Sequence, residues 1–484
     1  MKKPGVESIA RNAAYLSAGR LSTYLVRGLY VVVLARYLGP EVYGIFAYGQ
    51  AWYLVFLILS FLGLDVILTR EIGRDREVAA PIVAETLALR IVAVAVAATA
   101  SIVIAGLIET NTDALRIIAV FSLAIVARGL AVWIDHLFIG YESAQYSFGF
   151  GVIFRLSEVV VGLAIVASGG SALAIAAVHA ITWWVQAGCG LIFVRRHIFP
   201  VRPSWNWRRF GRLLSQGVPI GLHGLLAMWL LQGPLLLYRH VAATDGNLGQ
   251  LALVMQALVL ICVVPTALSR AALPVLSRAV MRKDGKDKQF ADELLPVGIL
   301  VGASSGLSGM GAGPWLVELL FGPSYGPAGA LLGLALWLVI PMNCASVVKA
   351  VLLARGENVR PMVCALAGGI VFTIALPVLV GNLGIQGAVV AAGAGLSVWA
   401  LGLFALLTRL SLRDIDRCLI RPGLAVFAAL AAFYAVGPMG DWPALAVSLL
   451  VLFGCNLVLR VFGSPRRLWG IVRSALPGDS RSQS

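Results

Sequence analysis

Residues 82–107 read IVAETLALRIVAVAVAATASIVIAGL, 26 residues with only two charges, Glu85 and Arg90. The run is apolar throughout and does not alternate, so it does not read as a membrane-barrel strand, which alternates over about ten residues. At about 1.5 Å rise per residue, a helix of this length crosses a hydrocarbon core of roughly 30 Å. Working outward in both directions, similar runs recur along the whole chain. We place fourteen, at 12–36, 42–64, 82–107, 114–138, 147–168, 171–194, 213–238, 248–277, 294–313, 327–353, 361–381, 386–408, 422–438 and 443–462. The expected fold class is therefore an all-α polytopic membrane protein.

Composition agrees. Of 484 residues, 60% are hydrophobic and 13% charged, against about 25% charged in soluble domains; the mean hydropathy is +0.90. The net charge of +15 would suggest nucleic acid in a soluble chain. Its placement argues for membrane orientation instead. With the N-terminus in the cytoplasm, 29 of the 38 Lys and Arg fall in cytoplasmic segments, three (Arg36, Arg116, Arg239) in periplasmic ones, and six inside spans. That asymmetry is the positive-inside signature, and it predicts both termini in the cytoplasm of a bacterial inner-membrane protein. The first apolar run contains Arg20 and Arg27, which does not suit a cleaved signal peptide.

The rest of the inventory excludes chemistry. The six cysteines form no CxxC pair, so neither a disulfide framework nor a metal site is expected. No GxxxxGK[ST], HExxH or GxSxG occurs in a suitable context. The turns after 168 and 381 are only a few residues long and hide no catalytic domain, so the chain is not expected to be an enzyme, nor to use a cofactor.

A weak internal repeat suggests two lobes. Residues 35–50 (ARYLGPEVYGIFAYGQ) and 238–255 (YRHVAATDGNLGQLALVM) both carry a basic residue at a helix end, then a short turn ending in Gly44 or Gly249. The expected layout is an N-terminal lobe at 1–194 (spans 1–6), a basic linker at 195–212, a second lobe at 213–408 (spans 7–12), two further spans over 409–462 and a tail at 463–484. The linker interleaves Arg and Trp (RRHIFPVRPSWNWRRFGR), as a belt at a membrane face does.

Charges inside spans are the candidate functional groups, because each costs on the order of 2.5–3.5 kcal/mol at the bilayer centre. Arg20, Tyr24 and Arg27 share one helical face. Arg155 and Glu158 are i, i+3 and can pair directly. Arg128, Asp135 and His136 lie on span four, and Glu85 and Arg90 on span three face apart. We read Arg20, Tyr24, Arg27, Arg90, Arg128 and Arg155 as contacts for an anionic solute, and Asp135, Glu158 and His136 as coupling or gating groups. His223, Gln232, Gln256 and Asn343 would give the second lobe a polar lining suited to hydroxyl-rich sugars or to bonding between helices. The sixth basic residue in a span, Lys349, reads as a snorkelling side chain.

The blocks ARYLGPEVYGIFAYGQAW and FLGLDVILTREI (Phe61 to Ile72) resemble the opening of the polysaccharide transporter, or oligosaccharide flippase, family. The later block LLFGPSYGPAGALLGLALWLVIPMNCASVVKAVLLARGENVRP, followed by NLGIQGAVVAAGAG, resembles that family's ninth to twelfth spans. The family belongs to the superfamily that also holds multidrug exporters and the lipid II flippase. The resemblance implies two lobes around a central cavity of alternating access. It also implies a polyprenyl-pyrophosphate-linked oligosaccharide as substrate, coupling to a proton or sodium gradient, and work alongside polymerase and export machinery in O-antigen or exopolysaccharide synthesis; no nucleic acid is expected. A multidrug exporter and a membrane-embedded glycan polymerase or ligase are the rival readings.

Overall fold

The computed structural model describes residues 6–74, 80–197, 202–242, 245–261, 276, 280, 286–357, 359–409 and 416–459. Within these helices, the side chains of 6–25, 74, 245, 286–288, 408 and 409 lie outside the description. The described residues are almost wholly helical and contain no strand. Among the described residues, twelve helices are long and apolar enough to cross a membrane.

The expected fourteen and the observed twelve differ for two local reasons. The helix α1 (Val6–Phe61) contains both of the first two runs, broken at Gly39, whose φ of 70° and ψ of 168° are non-helical. Glycine reaches that region without the Cβ penalty, and Pro40 follows it. The eighth run is described only as α8 (Asp245–Ile261), shorter than a full crossing; the remainder of 248–277, apart from Leu276, is outside the described residues.

The other runs are spanned by α3 (Ala80–Ile108), α4 (Thr112–Gly140), α5 (Ala144–Ala167), α6 (Ala172–His197) and α7 (Trp207–Val241), then by α9 (Lys286–Phe321). Next come α10 (Gly326–Ala335) and α11 (Val339–Ala354), α12 (Val359–Leu383), α13 (Ile385–Arg409), α14 (Arg421–Val436) and α15 (Asp441–Val458). A 3-10 turn at Leu336–Leu338 joins α10 and α11, making one apolar stretch of Pro323–Ala354.

One helix was not expected. Residues between the second and third expected spans form α2 (Leu64–Arg74). Its apolar positions Leu64, Ile67, Leu68 and Ile72 follow a helical period, and all four are buried, so the segment gains more by packing than by staying in water.

Two compact units divide the chain, 1–252 and 253–484. In the first, α1, α4, α5 and α6 pack mutually, while α7 packs on α1 and α2. The junction of α1 and α2 is unusually close to α7. Leu62 and Gly63 both have positive φ, at 50° and 67°. A Cβ at Gly63 would lie 2.2 Å from the Gly217 carbonyl oxygen, and one at Gly217 would lie 2.4 Å from that of Leu62. Only missing side chains permit this backbone contact. The turn glycine Gly249 likewise sits on Pro40, where a Cβ would fall 1.9 Å from the carbonyl oxygen.

In the second unit α9 is central. Leu300, Ala303 and Leu307 pack with Ala425, Ala429 and Phe433 of α14 and with Leu445 and Leu452 of α15. Its opposite flank meets α10 and α11, close enough that a Cβ at Gly302 would strike the Ile340 backbone nitrogen at 2.6 Å.

Candidate functional site

The first unit holds a cavity of about 860 Å³, the open solvent at its mouth included. Four helical faces build it, each on a helical repeat of three to four residues. The first half of α1 contributes Arg27 and Tyr30, its second half Tyr43, Phe46 and Gln50; α4 gives Arg128, α5 gives Arg155 and Glu158, and α6 gives His179 and Trp183. Gly162, one turn beyond Glu158, leaves room for the Tyr30 hydroxyl, which a Cβ there would meet at 1.9 Å.

A continuous network fixes these side chains. Arg155 pairs with Glu158, and its Nη2 donates to Gln186 Oε1 at 3.1 Å. Its guanidinium carbon lies 3.9 Å from the centre of the Trp183 ring, and that of Arg128 lies 4.9 Å from the same ring. Desolvated contacts of this kind hold a cation by the quadrupole of the indole. Arg128 Nη1 donates to Tyr53 Oη at 3.0 Å. Phe121 backs the assembly, stacking on Tyr53 at 5.5 Å and meeting His179 edge-on at 5.4 Å.

The tautomer of His179 follows from its partners. Trp183 Nε1 is 3.1 Å from His179 Nε2, and an indole nitrogen can only donate. Nε2 is therefore the acceptor, and the ring proton sits on Nδ1, which donates to Glu158 Oε1 at 2.6 Å. Glu158 is thus engaged by both Arg155 and His179. The Nε groups of Arg128 and Arg155 are buried with no hydrogen-bond partner among the described residues. Arg155 holds the carboxylate of the described lining, and Arg128 meets a phenol and an indole, so the cavity has unspent capacity for an anion.

The expected residues separate on this geometry. Arg27, Arg128, Arg155 and Glu158 meet at the cavity; the side chains of Arg20 and Tyr24 lie outside the described residues. Arg90 is elsewhere: it is fully buried, pairs with Asp65, donates from Nη1 to Ser60 O at 3.1 Å and lies over the Phe61 ring. Its neighbour in sequence, Glu85, pairs with Arg209 at 3.2 Å. Asp135 accepts from Ser147 Oγ at 3.0 Å and His136 Nδ1 meets Thr69 Oγ1 at 3.0 Å, both away from the cavity lining.

None of His223, Gln232, Gln256 and Asn343 belongs to the lining of the first unit's cavity. The first two are on α7, Gln232 buried, and Gln256 is half-buried on α8. Asn343 is buried on α11, where Nδ2 donates to Gly298 O at 3.0 Å, a bond between helices. Among the described residues, the second unit's cavity, about 1340 Å³ with the open solvent at its mouth included, is lined by no charged side chain, and its hydroxyls are Ser304, Ser305 and Ser308.

The residues missing from the expected set are His179, Trp183, Tyr53, Gln50 and Gln186. A signal for some was present: His179, Trp183 and Gln186 are spaced i, i+4, i+7 on one face of an otherwise apolar span.

No curated protein sequence matches this chain. Among solved structures, it is similar to the lipid II flippase MurJ in an inward closed conformation, with a TM-score of 0.68, 13% identity, and coverage of 94% of this chain and 99% of that one. It is also similar to an inward-facing multidrug resistance MATE family transporter of the MOP superfamily, at 0.65, 15%, 81% and 96%. A MOP superfamily transporter from Pyrococcus furiosus, described as having a binding pocket of reverse polarity, matches at 0.54, 14%, 84% and 95%. At these identities the likeness shows a shared fold. The family pattern described as polysaccharide biosynthesis protein matches residues 9–280, more than half of the chain, so the chain belongs to the polysaccharide biosynthesis protein family.

Proposed function

We propose that this protein carries a polyprenyl-pyrophosphate-linked oligosaccharide from the cytoplasmic to the periplasmic leaflet of a bacterial inner membrane. The observation that carries this reading is the cavity of the first unit, where Arg27, Arg128 and Arg155 share the lining with the carboxylate Glu158. A diphosphate head group supplies the acceptors that guanidinium donors bind in pairs. Membership of a polysaccharide biosynthesis family and a flippase of lipid II among the similar folds support a lipid-linked glycan. In this proposal the expected lobes alternate access to the cavity, both termini are cytoplasmic, and a proton or sodium gradient supplies the direction.

A second reading, a multidrug exporter, draws on the MATE-type neighbours and on the aromatic lining of Tyr30, Phe46 and Trp183 beside Glu158. A cationic drug would need that carboxylate, which Arg155 and His179 already occupy.

The test is leaflet-resolved detection of lipid-linked oligosaccharide in cells carrying the wild type, a deletion, or Arg27→Gln with Arg128→Gln. The expected result is accumulation on the cytoplasmic side in the deletion and the double variant. Normal export by a double variant present at wild-type level in the membrane overturns the site. Normal export by the deletion, with raised drug susceptibility, moves the exporter reading to the front.

A further inference from the structure

The segment at 202–212, RPSWNWRRFGR, leads into α7 and includes its first turns from Trp207, and it takes no part in the lining of the cavity. It is nonetheless built. The Ser204 backbone N–H donates to Ala84 O at 3.2 Å, and Asn206 caps α7 by accepting from the Arg209 backbone N–H at 3.3 Å. Arg209 Nη1 reaches buried Glu85 at 3.2 Å. Phe210, 3% exposed, inserts among Leu64, Ile67 and Leu89. The rings of Trp205 and Trp207 lie 5.4 and 5.8 Å from it.

This anchoring leaves a defined outer surface. Trp207 is 80% exposed and Trp205 is 55% exposed. Arg202, Arg208 and Arg212 are exposed beside them, and Arg195, Arg196 and His197 are exposed on the last turn of α6. The carboxylate bonded to the segment, Glu85, is spent on Arg209 and buried beneath it. Because α6 and α7 are both apolar crossings, the segment between them sits at a membrane face, the depth at which indole rings settle and guanidinium groups meet lipid phosphates.

We propose that residues 202–212 form a docking surface for anionic phospholipid head groups, with Arg202, Arg208 and Arg212 on the phosphates and Trp205 and Trp207 seated between the neighbouring lipids. The charge excess selects anionic over zwitterionic lipid, and the indoles fix the depth. The surface is independent of the transport site and holds whichever solute the cavity carries.

The test uses full-length purified protein, stripped of lipid in detergent and mixed with equal amounts of phosphatidylglycerol and phosphatidylcholine, with retained lipid counted by native mass spectrometry. The wild type is expected to retain phosphatidylglycerol preferentially, by about fivefold per engaged arginine at low salt. Arg202→Gln, Arg208→Gln and Arg212→Gln together are expected to reduce that preference toward one, while the corresponding lysine triple variant keeps most of it. Trp205→Ala with Trp207→Ala is expected to lower retention of both lipids. Thermal unfolding of each variant identifies any that has lost its fold. A wild type without preference for phosphatidylglycerol overturns the proposal and leaves the surface to an acidic protein partner. A folded glutamine variant that keeps the full preference overturns it as well.

Discussion

Arg90–Asp65 and Arg155–Glu158 are both arginine–carboxylate pairs inside the first unit, and both arginines interrupt apolar runs. In the first pair the Arg90 side chain has no exposed surface and Asp65 has 9%. Backbone oxygen, carboxylate and a phenyl ring meet the guanidinium, although its Nε, like those of Arg128 and Arg155, has no hydrogen-bond partner among the described residues. In the second pair the side chains are 14% and 13% exposed and line a cavity. The carboxylate there is shared with a histidine, and the guanidinium lies against the same indole as a second arginine. A charge closed on every side holds helices together, whereas one left open on a single side can exchange partners. Both arginines sit in apolar spans; the surface left open beside each is what differs.

The sharpest way to break this contrast is to remove the partner of the closed pair. Asp65→Ala strands a buried guanidinium, at a cost of about 3–5 kcal/mol. We expect thermal unfolding of the purified protein to shift strongly downward, and an unshifted melt would mean that Arg90 is not a scaffold residue. Arg128→Gln acts on the open side. It removes a charge-assisted contact of about 1.5–3 kcal/mol with an anion, so export should fall roughly 10- to 100-fold while the melt stays near wild type. A large loss of stability without a change in export per folded molecule would erase the distinction.

Trp183→Phe is a finer probe. It keeps a ring for Arg128 and Arg155 and deletes the donor to His179 Nε2. We expect a loss of about 0.5–1.5 kcal/mol, and nitrogen NMR of labelled His179 should keep the Nδ1-protonated form, because Glu158 still accepts from Nδ1, with the change confined to the Nε2 resonance. The smallest expected effect is at a third pair, outside the spans. Burial raises the pKa of Glu109, but the Asn111 backbone N–H and Arg239 outweigh it and hold the carboxyl below its ordinary value. A depressed carboxylate contributes stability above its unfolded pKa, and that contribution is lost as pH falls through the folded value. Stability should therefore decline on acidification below about pH 4.3, and Glu109→Gln should flatten that decline. An unchanged pH profile in the variant would remove Glu109 from the account.

Local features were legible in the sequence and distant ones were not. The i, i+3 pairing of Arg155 with Glu158 is set by the helix itself, and Gly39 announces the break in α1 by lying next to Pro40. Span limits followed from hydropathy because every crossing must satisfy its backbone internally. By contrast, Arg90 and Arg128 are indistinguishable as single arginines in apolar runs. What separates them is contact with Asp65, 25 residues away, and with Tyr53, 75 residues away. His179 has no acidic partner on its own helix to mark it. Its link to Tyr53 spans 126 residues, and only the packing of α6 against α1 and α4 reveals it. Leu64–Arg74 was masked by its charges, one of which, Asp65, is itself buried against Arg90.

The seam between the α1–α2 junction and α7 constrains substitution as a group. At Gly63, Gly217 and Gly221 an added Cβ would meet backbone atoms at 2.2, 2.4 and 2.8 Å, and backbone, unlike a side chain, cannot rotate aside. The first alanine there must push α7 bodily off the junction. Once the gap exists, a second alanine across it finds the space already open. The three positions are therefore epistatic: single changes are costly, combined changes cost less than their sum, and a library scored one position at a time would misjudge how the seam tolerates change.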